Sequence, residues 1–278
     1  MKRSALDEIR RLDPEKDHER IAYLDTCWEF PWDTTRALEL ALFRTFAVAK
    51  GSALLAGTGE FTRRPQKRYD DTVLILAEIL EHGYDSERGR AALRRMNQMH
   101  RRYPIPNDEF LYVLSTFIFE PIRWNARFGW RPLTETEKLA SFYYWREIGR
   151  RMGIRDIPAS IEAFEQYNLD FERTYFGYAE SNRQIAQATR DLFLSWVLPP
   201  VLWPLGAPVV HAMMDERLLE AVGFPRPPAW LRRLVEGALR LRARVLRLLP
   251  VRRRPRLLTQ MRSRTYPHGY TIEELGTF

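Results

Sequence analysis

Leu93, Met96 and His100 are spaced three and four residues apart, inside the stretch RRMNQMHRRYPIPND at 94–108. A helix over 86–102 therefore carries all three on one face. Arg94, Arg95, Arg101 and Arg102 point mostly elsewhere, and Pro104 and Pro106 stop the helix. A histidine on an apolar helix face is either a satisfied core residue or a ligand. In the preceding expected helix, Arg68 and Thr72 of RYDDT stand four apart and lead into Ile75, Leu76 and Ile79. A buried arginine needs an anion. It finds one in a salt bridge to Asp70, Asp71 or Glu60, or it serves as a polar group over a cofactor or substrate.

The other histidines are less suited to ligation. His18 and His82 sit in charged or turn contexts, His268 in a Pro–Gly turn, and His211, just past a long apolar stretch, is the second choice. No two of the five lie within four residues of each other, and the single cysteine, Cys27, rules out an internal disulfide and cysteine-based zinc or iron–sulfur sites. A lone neutral imidazole in an apolar slot does match what a haem iron requires of a protein, with nearby arginines available to its propionates. Other chemistry is missing. GSALLAGTGE at 51–60 has neither Walker nor dinucleotide spacing, and neither His-Glu-x-x-His nor Gly-x-Ser-x-Gly occurs.

The elements that must position these residues read as helices in nearly every window. Helices are expected over 34–50, 68–80 (opened by Pro65), 86–102, 108–128 (capped by Asn107 or Asp108), 135–152, from 157–160 through 167, and over 178–194. Thr134 and Glu137 have capping-box spacing, and Gly153 stands where a C-cap belongs. The fold class is an all-α, multi-helix bundle. It divides into a lead-in at 1–29, a helical domain at 30–195 and an apolar and basic C-terminal extension at 196–278.

The 278 residues carry a net charge of +8 that is unevenly spread. Between 226 and 264 thirteen arginines face one acid, Glu236, a net of +12, so the remainder carries −4. The 19 uncharged residues at 192–210 approach the length of a bilayer span, but Pro199, Pro200, Pro204, Gly206 and Pro208 interrupt them, which favours a buried or interfacial helix–loop–helix. In AWLRRLVEGALRLRARVLRLLP, Trp230, Leu234, Leu241, Val245 and Leu248 share a face. Such a helix either lies on an anionic membrane or docks on the body with a solvated arginine face. The N-terminal stretch has no apolar segment. The expectation is thus a cytoplasmic protein without a signal peptide, with peripheral contact to an anionic membrane through 192–256 and no nucleic-acid partner.

FPWDTTRALELALFRTF at 30–46, TGEFTRRPQKRYDDT at 58–72, MNQMHRR at 96–102, NDEFLYVLSTFIFEPIRW at 107–124, EKLASFYYWREIGRRMGIRDIP at 137–158 and TYPHGYTIEELGT at 265–277 stand in an order and spacing that resembles one family. It is the haem-dependent oxygenase family of ER-bound oxygenase mpaB and the rubber oxygenases (latex-clearing proteins), and the tail resembles the mpaB-type branch. The resemblance implies a helical bundle around a haem b pocket, with His100 as the iron ligand and Met96 beside it. Arg68 and Thr72 match the family's arginine and threonine, as distal or propionate-side groups. Rubber oxygenases carry a lysine just before that threonine. This chain has Asp71, a candidate proton acceptor and a departure that puts the distal chemistry in question. The family's catalytic glutamate has no assigned counterpart. The implied activity is oxidative cleavage of a carbon–carbon double bond in an apolar, isoprenoid-like substrate by dioxygen. A non-catalytic haem- or lipid-binding, membrane-associated protein is the alternative.

Overall fold

The computed structural model describes residues 5–250 and 252–277, and among these there is no β-strand, only one isolated bridge between Val48 and Phe176. The helices are α1 (Ala5–Ile9), α2 (His18–Leu24), α3 (Pro31–Phe46), α4 (Ala49–Thr58), α5 (Glu60–Arg63), α6 (Pro65–His82) and α7 (Glu87–His100). They continue as α8 (Asn107–Phe128), α9 (Glu135–Met152), α10 (Ile161–Tyr175), α11 (Glu180–Ser195), α12 (Trp203–His211), α13 (Glu216–Ala221) and α14 (Ala229–Leu248). A π-helical turn (Asp25–Glu29) joins α2 to α3.

Local chemistry sets these bounds. Proline at the first position opens α3 and α6, where its missing N–H costs nothing. The Ser86 hydroxyl accepts from the Gly89 N–H and starts α7. At the start of α9 both halves of the Thr134–Glu137 capping box form, and Gly153 ends that helix at φ 79°, where a side chain would be strained. The structure shifts several expected bounds. The helix expected at 34–50 starts at Pro31 and ends at Phe46, because Val48 turns extended before α4. The one expected to run from 157 to 167 is capped by Ser160 and extends to Tyr175.

Helix α3 packs along α8, α6 along α7, and α8 against α9 and α10, so the long helices surround a common interior. Phe43, Phe46 and Phe61 anchor one apolar cluster, and Leu74, Ile79, Leu93 and Tyr144 another. After α14 the chain runs back as an irregular strap, 252–277, against α6 and α7, where Leu275 is fully buried.

Segment 192–210 is a bend rather than one helix. No single described helix is long and apolar enough to cross a membrane. Helix α11 and the segment Pro200–His211 would meet that length and composition together, but they are bent by 119°. Helix α14 docks on the body through Val235, Leu239 and Ala243. The stripe from Trp230 to Leu248 identified in the sequence lies on the opposite side and is exposed.

Candidate active site

Helices α3, α6, α7, α8 and α9 line most of a cavity of about 460 Å³, a size suited to a small-molecule or cofactor site. Its walls are mainly apolar, with Leu38, Ile75, Phe110, Val113 and Trp145 among them. Arg68, Asp71, Thr72, Met96 and His100 all line it, so the two helices chosen from sequence spacing bring their candidates to one space.

His100 is the last residue of α7. The edge of its ring meets Phe110, with centroids 5.2 Å apart. Nδ1 is buried and without a hydrogen-bond partner among the described residues. Burial, and secondarily the charge of Arg68, push the imidazole pKa down to about 4. At neutral pH the ring is therefore uncharged and able to donate a lone pair. Met96, one turn earlier, is buried against Leu93 in the α6–α7 cluster.

Arg68 donates to the hydroxyl of Thr72, which donates in turn to the Arg68 carbonyl at 3.0 Å. Its guanidinium lies 5.0 Å from the centre of the Phe61 ring. The salt bridge expected for it does not form among the described residues. Glu60 pairs with Arg64 at 2.6 Å, and Asp71 pairs with Lys67 at 2.9 Å. Burial pulls the Arg68 pKa below the ordinary arginine value, and Asp71 and Glu60 offset this only in part. A guanidinium in such surroundings attracts an anion.

The two aspartates hold the strap. The Asp70 carboxylate accepts from Ser263 Oγ at 2.9 Å and from the amide and hydroxyl of Thr265 at 2.9 and 2.6 Å. The Asp71 carboxylate accepts from Tyr266 at 2.6 Å and from Lys67 Nζ at 2.9 and 3.0 Å. Lys67 also reaches the Tyr266 hydroxyl at 2.7 Å and the Gly276 carbonyl at 3.2 Å. Arg95 Nε donates to the Leu275 carbonyl at 2.7 Å. Gly276 has φ +85°, and a Cβ there would sit 1.9 Å from Met99 Sδ, next to His100. The strap thus forms part of the cavity wall, and Asp71 is already engaged by a cation and a phenol.

Three residues of this region were not found by sequence reasoning. Lys67 and Tyr266 meet Asp71 only in three dimensions, Tyr266 from 195 residues away. Glu39 lines the cavity at 7% exposure, accepting from Arg36 at 2.6 Å and Tyr69 at 2.9 Å. Burial raises its pKa to about 7, against the opposing influence of Arg36 and Tyr69. The available signal was an acid in the middle of the apolar run ALELALF. His211, the second-choice ligand, is buried against Phe224, with ring centroids 4.4 Å apart, and is not part of the cavity wall.

Among the described residues no three of His, Cys, Asp or Glu converge as a metal cage. The cavity instead offers the neutral imidazole of His100, the Arg68 guanidinium without a carboxylate partner among the described residues, the Glu39 carboxyl with its pKa raised to about 7, and mainly apolar walls.

A family model described as "ER-bound oxygenase mpaB/B'/Rubber oxygenase, catalytic domain" matches residues 35–248. The chain is 32% identical over 213 residues to the ER-bound oxygenase mpaB of Penicillium roqueforti (strain FM164), covering 70% of this chain and 71% of that protein. It is 31% identical to the ER-bound oxygenase mpaB' of Penicillium brevicompactum and 27% identical to the mpaB of the same species, over 73% and 72% of this chain. It spans only about half the length of these two relatives, 52% and 56%. This chain belongs to the mpaB/rubber oxygenase catalytic-domain family, a family of oxygenase enzymes.

Proposed function

We propose that this protein is a haem b-dependent oxygenase that cleaves a carbon–carbon double bond of an apolar, isoprenoid-like substrate with dioxygen, and that His100 ligates the iron. The observation carrying this reading is the His100 ring, neutral at pH 7 and with its buried Nδ1 lacking a hydrogen-bond partner among the described residues, on the wall of an apolar cavity. The donor set fits: haem asks the protein for one ligand, and no larger cluster of metal-binding side chains is present among the described residues. The oxygenase in the relatives' names supports the same reaction class.

Haem held by His100 would supply an iron centre for chemistry with dioxygen. The protein's own groups do the rest. Arg68, held by Thr72, attracts an anionic group such as a propionate. Met96, Phe110, Val113 and Trp145 shape the apolar space and keep water from the reacting alkene. Glu39, titrating near 7, holds or releases a proton at its carboxylate. Asp71 secures the strap that closes the wall.

The test is the visible spectrum of the purified protein as isolated, after dithionite, and after carbon monoxide. A Soret band that shifts with carbon monoxide and is lost in His100→Ala is expected. A colourless protein that does not take up hemin would overturn the reading.

The engagement of Asp71 by Lys67 and Tyr266 favours a second reading, a haem- or lipid-binding protein without turnover, because it leaves no free base at that position. Oxygen consumption over a panel of isoprenoid substrates separates the two.

A further inference from the structure

Helix α14 has two apolar stripes. Val235 and Ala243 are buried, Leu239 packs beside Trp124, and Arg242 reaches Asp33 at 2.9 Å, so this side is fixed to the body. On the other side Trp230, Leu234, Leu241 and Leu248 are 66, 61, 60 and 86% exposed. An interior helix is not two-sided in this way, and a solvated one does not carry such a stripe. Helix α12 packs against α14 and, with the turn before it, adds Val201 and Leu205 at 80 and 74% exposure.

The charges beside the stripe identify what covers it. Arg233, Arg240, Arg244 and Arg247 are exposed, and by helical spacing they flank the stripe along one side. Arg252, Arg253 and Arg254 follow, also exposed. The acid of this helix, Glu236, is taken by Arg127 at 3.0 Å and Arg240 at 3.2 Å. The 20 residues of α14 extend roughly 30 Å, so apolar and cationic groups run in parallel over that length. A bilayer surface presents this pairing, with acyl chains beside anionic headgroups in a plane, and an exposed tryptophan is suited to the boundary.

We propose that α14, with the adjoining Pro200–His211 segment, docks this protein on an anionic membrane surface. The stripe enters the acyl boundary and the flanking arginines engage headgroup phosphates. The inference does not depend on the haem assignment.

The test is flotation of the full-length protein with phosphatidylcholine vesicles, with and without phosphatidylserine. Binding is expected to anionic vesicles and to fall at least tenfold with added salt, in neutral vesicles, and in Arg233→Glu/Arg244→Glu. Trp230→Ser/Leu241→Ser is expected to lose binding at least tenfold while keeping the wild-type thermal midpoint, since both side chains are exposed. Equal binding of this variant and wild type would overturn the proposal, as would no binding to anionic vesicles. A wild-type dimer in sedimentation that Trp230→Ser/Leu241→Ser dissociates, without vesicle binding, would assign the face to a second copy instead. Salt-sensitive binding to duplex DNA in place of vesicles would equally exclude the lipid surface.

Discussion

Arg44 and Arg68 both border the protein's interior, and their surroundings are opposites. Arg44 contacts Glu120 at 2.8 Å, Glu172 at 3.2 Å and Asp215 at 2.5 Å with its side chain 12% exposed. Burial opposes its charge, but the carboxylates of Glu120, Glu172 and Asp215 outweigh burial and raise its pKa. Arg68 has a hydroxyl and an aromatic face, and burial lowers its pKa. Where the fold ties α3 to α8 and α10, the cation is saturated with acids. Where it lines the cavity, the cation is left with neutral partners. The contrast separates an arginine that holds the structure from one whose proposed partner is a ligand.

The most direct way to break this comparison is to remove each cation. Arg44→Met leaves mutually repelling carboxylates in place and is expected to lose about 3–5 kcal/mol of stability. Arg68→Met removes a poorly solvated charge and is expected to change stability by less than about 1 kcal/mol, while weakening retention of an anionic ligand or haem. Urea denaturation of both variants measures the difference. Equal losses would make Arg68 a second structural arginine and remove its reservation for a ligand.

Glu39 and His211 extend the comparison to pH, because burial favours the neutral form of each. The folded pKa of His211 is pushed down to about 4, first by burial and then by the charge of Arg190. Below about pH 6.5 the unfolded chain binds that proton and the folded chain does not, so stability falls from pH 6.5 to 4, by about 3 kcal/mol. Glu39 has the opposite sign. Its folded pKa is raised to about 7, so the folded state holds a proton that the unfolded state releases. Stability falls as pH rises from about 4.5 to 7, again by about 3 kcal/mol. Between pH 4.5 and 6.5 these two effects cancel, and His100, whose pKa is also pushed down to about 4, leaves a net slope of the histidine sign. Glu39→Gln is expected to steepen that slope and His211→Gln to flatten it, in thermal midpoints across that range. Two variants with the same slope as wild type would show that these groups titrate normally.

How much of this was visible in the sequence depends on the range of the interaction. Helical spacing put Arg68, Thr72, Met96 and His100 on faces that meet at one cavity, and the capping box of Thr134 and Glu137 lies within four residues of chain. Ion-pair partners were not legible in the same way. Arg68 has three acids within eight positions and pairs with none of them, because Arg64, Lys67 and the strap claim those carboxylates first. Helix α14 shows the limit of periodicity. Its prominent apolar stripe pointed outward, and the narrower one, containing Val235 and Ala243, packed inward.

Asp71 tests the comparison at the smallest scale, since it lies three positions from Arg68 on the same helix and, unlike it, is saturated. If its carboxylate anchors the strap, Asp71→Asn leaves Lys67 without its counter-charge and costs about 2 kcal/mol, and Tyr266→Phe, which removes one hydrogen bond, about 1 kcal/mol. The two substitutions strike one network, so the double variant is expected to cost less than their sum. Both single variants should make the chain near 252–277 more sensitive to limited proteolysis. A proton-transfer role predicts a different pattern: Asp71→Asn alone would abolish oxygen consumption, with the strap still protected and Tyr266→Phe active. The two outcomes are distinguishable because the phenol touches the carboxylate at 2.6 Å from the strap side, so a residue that works by anchoring must share its phenotype with Tyr266.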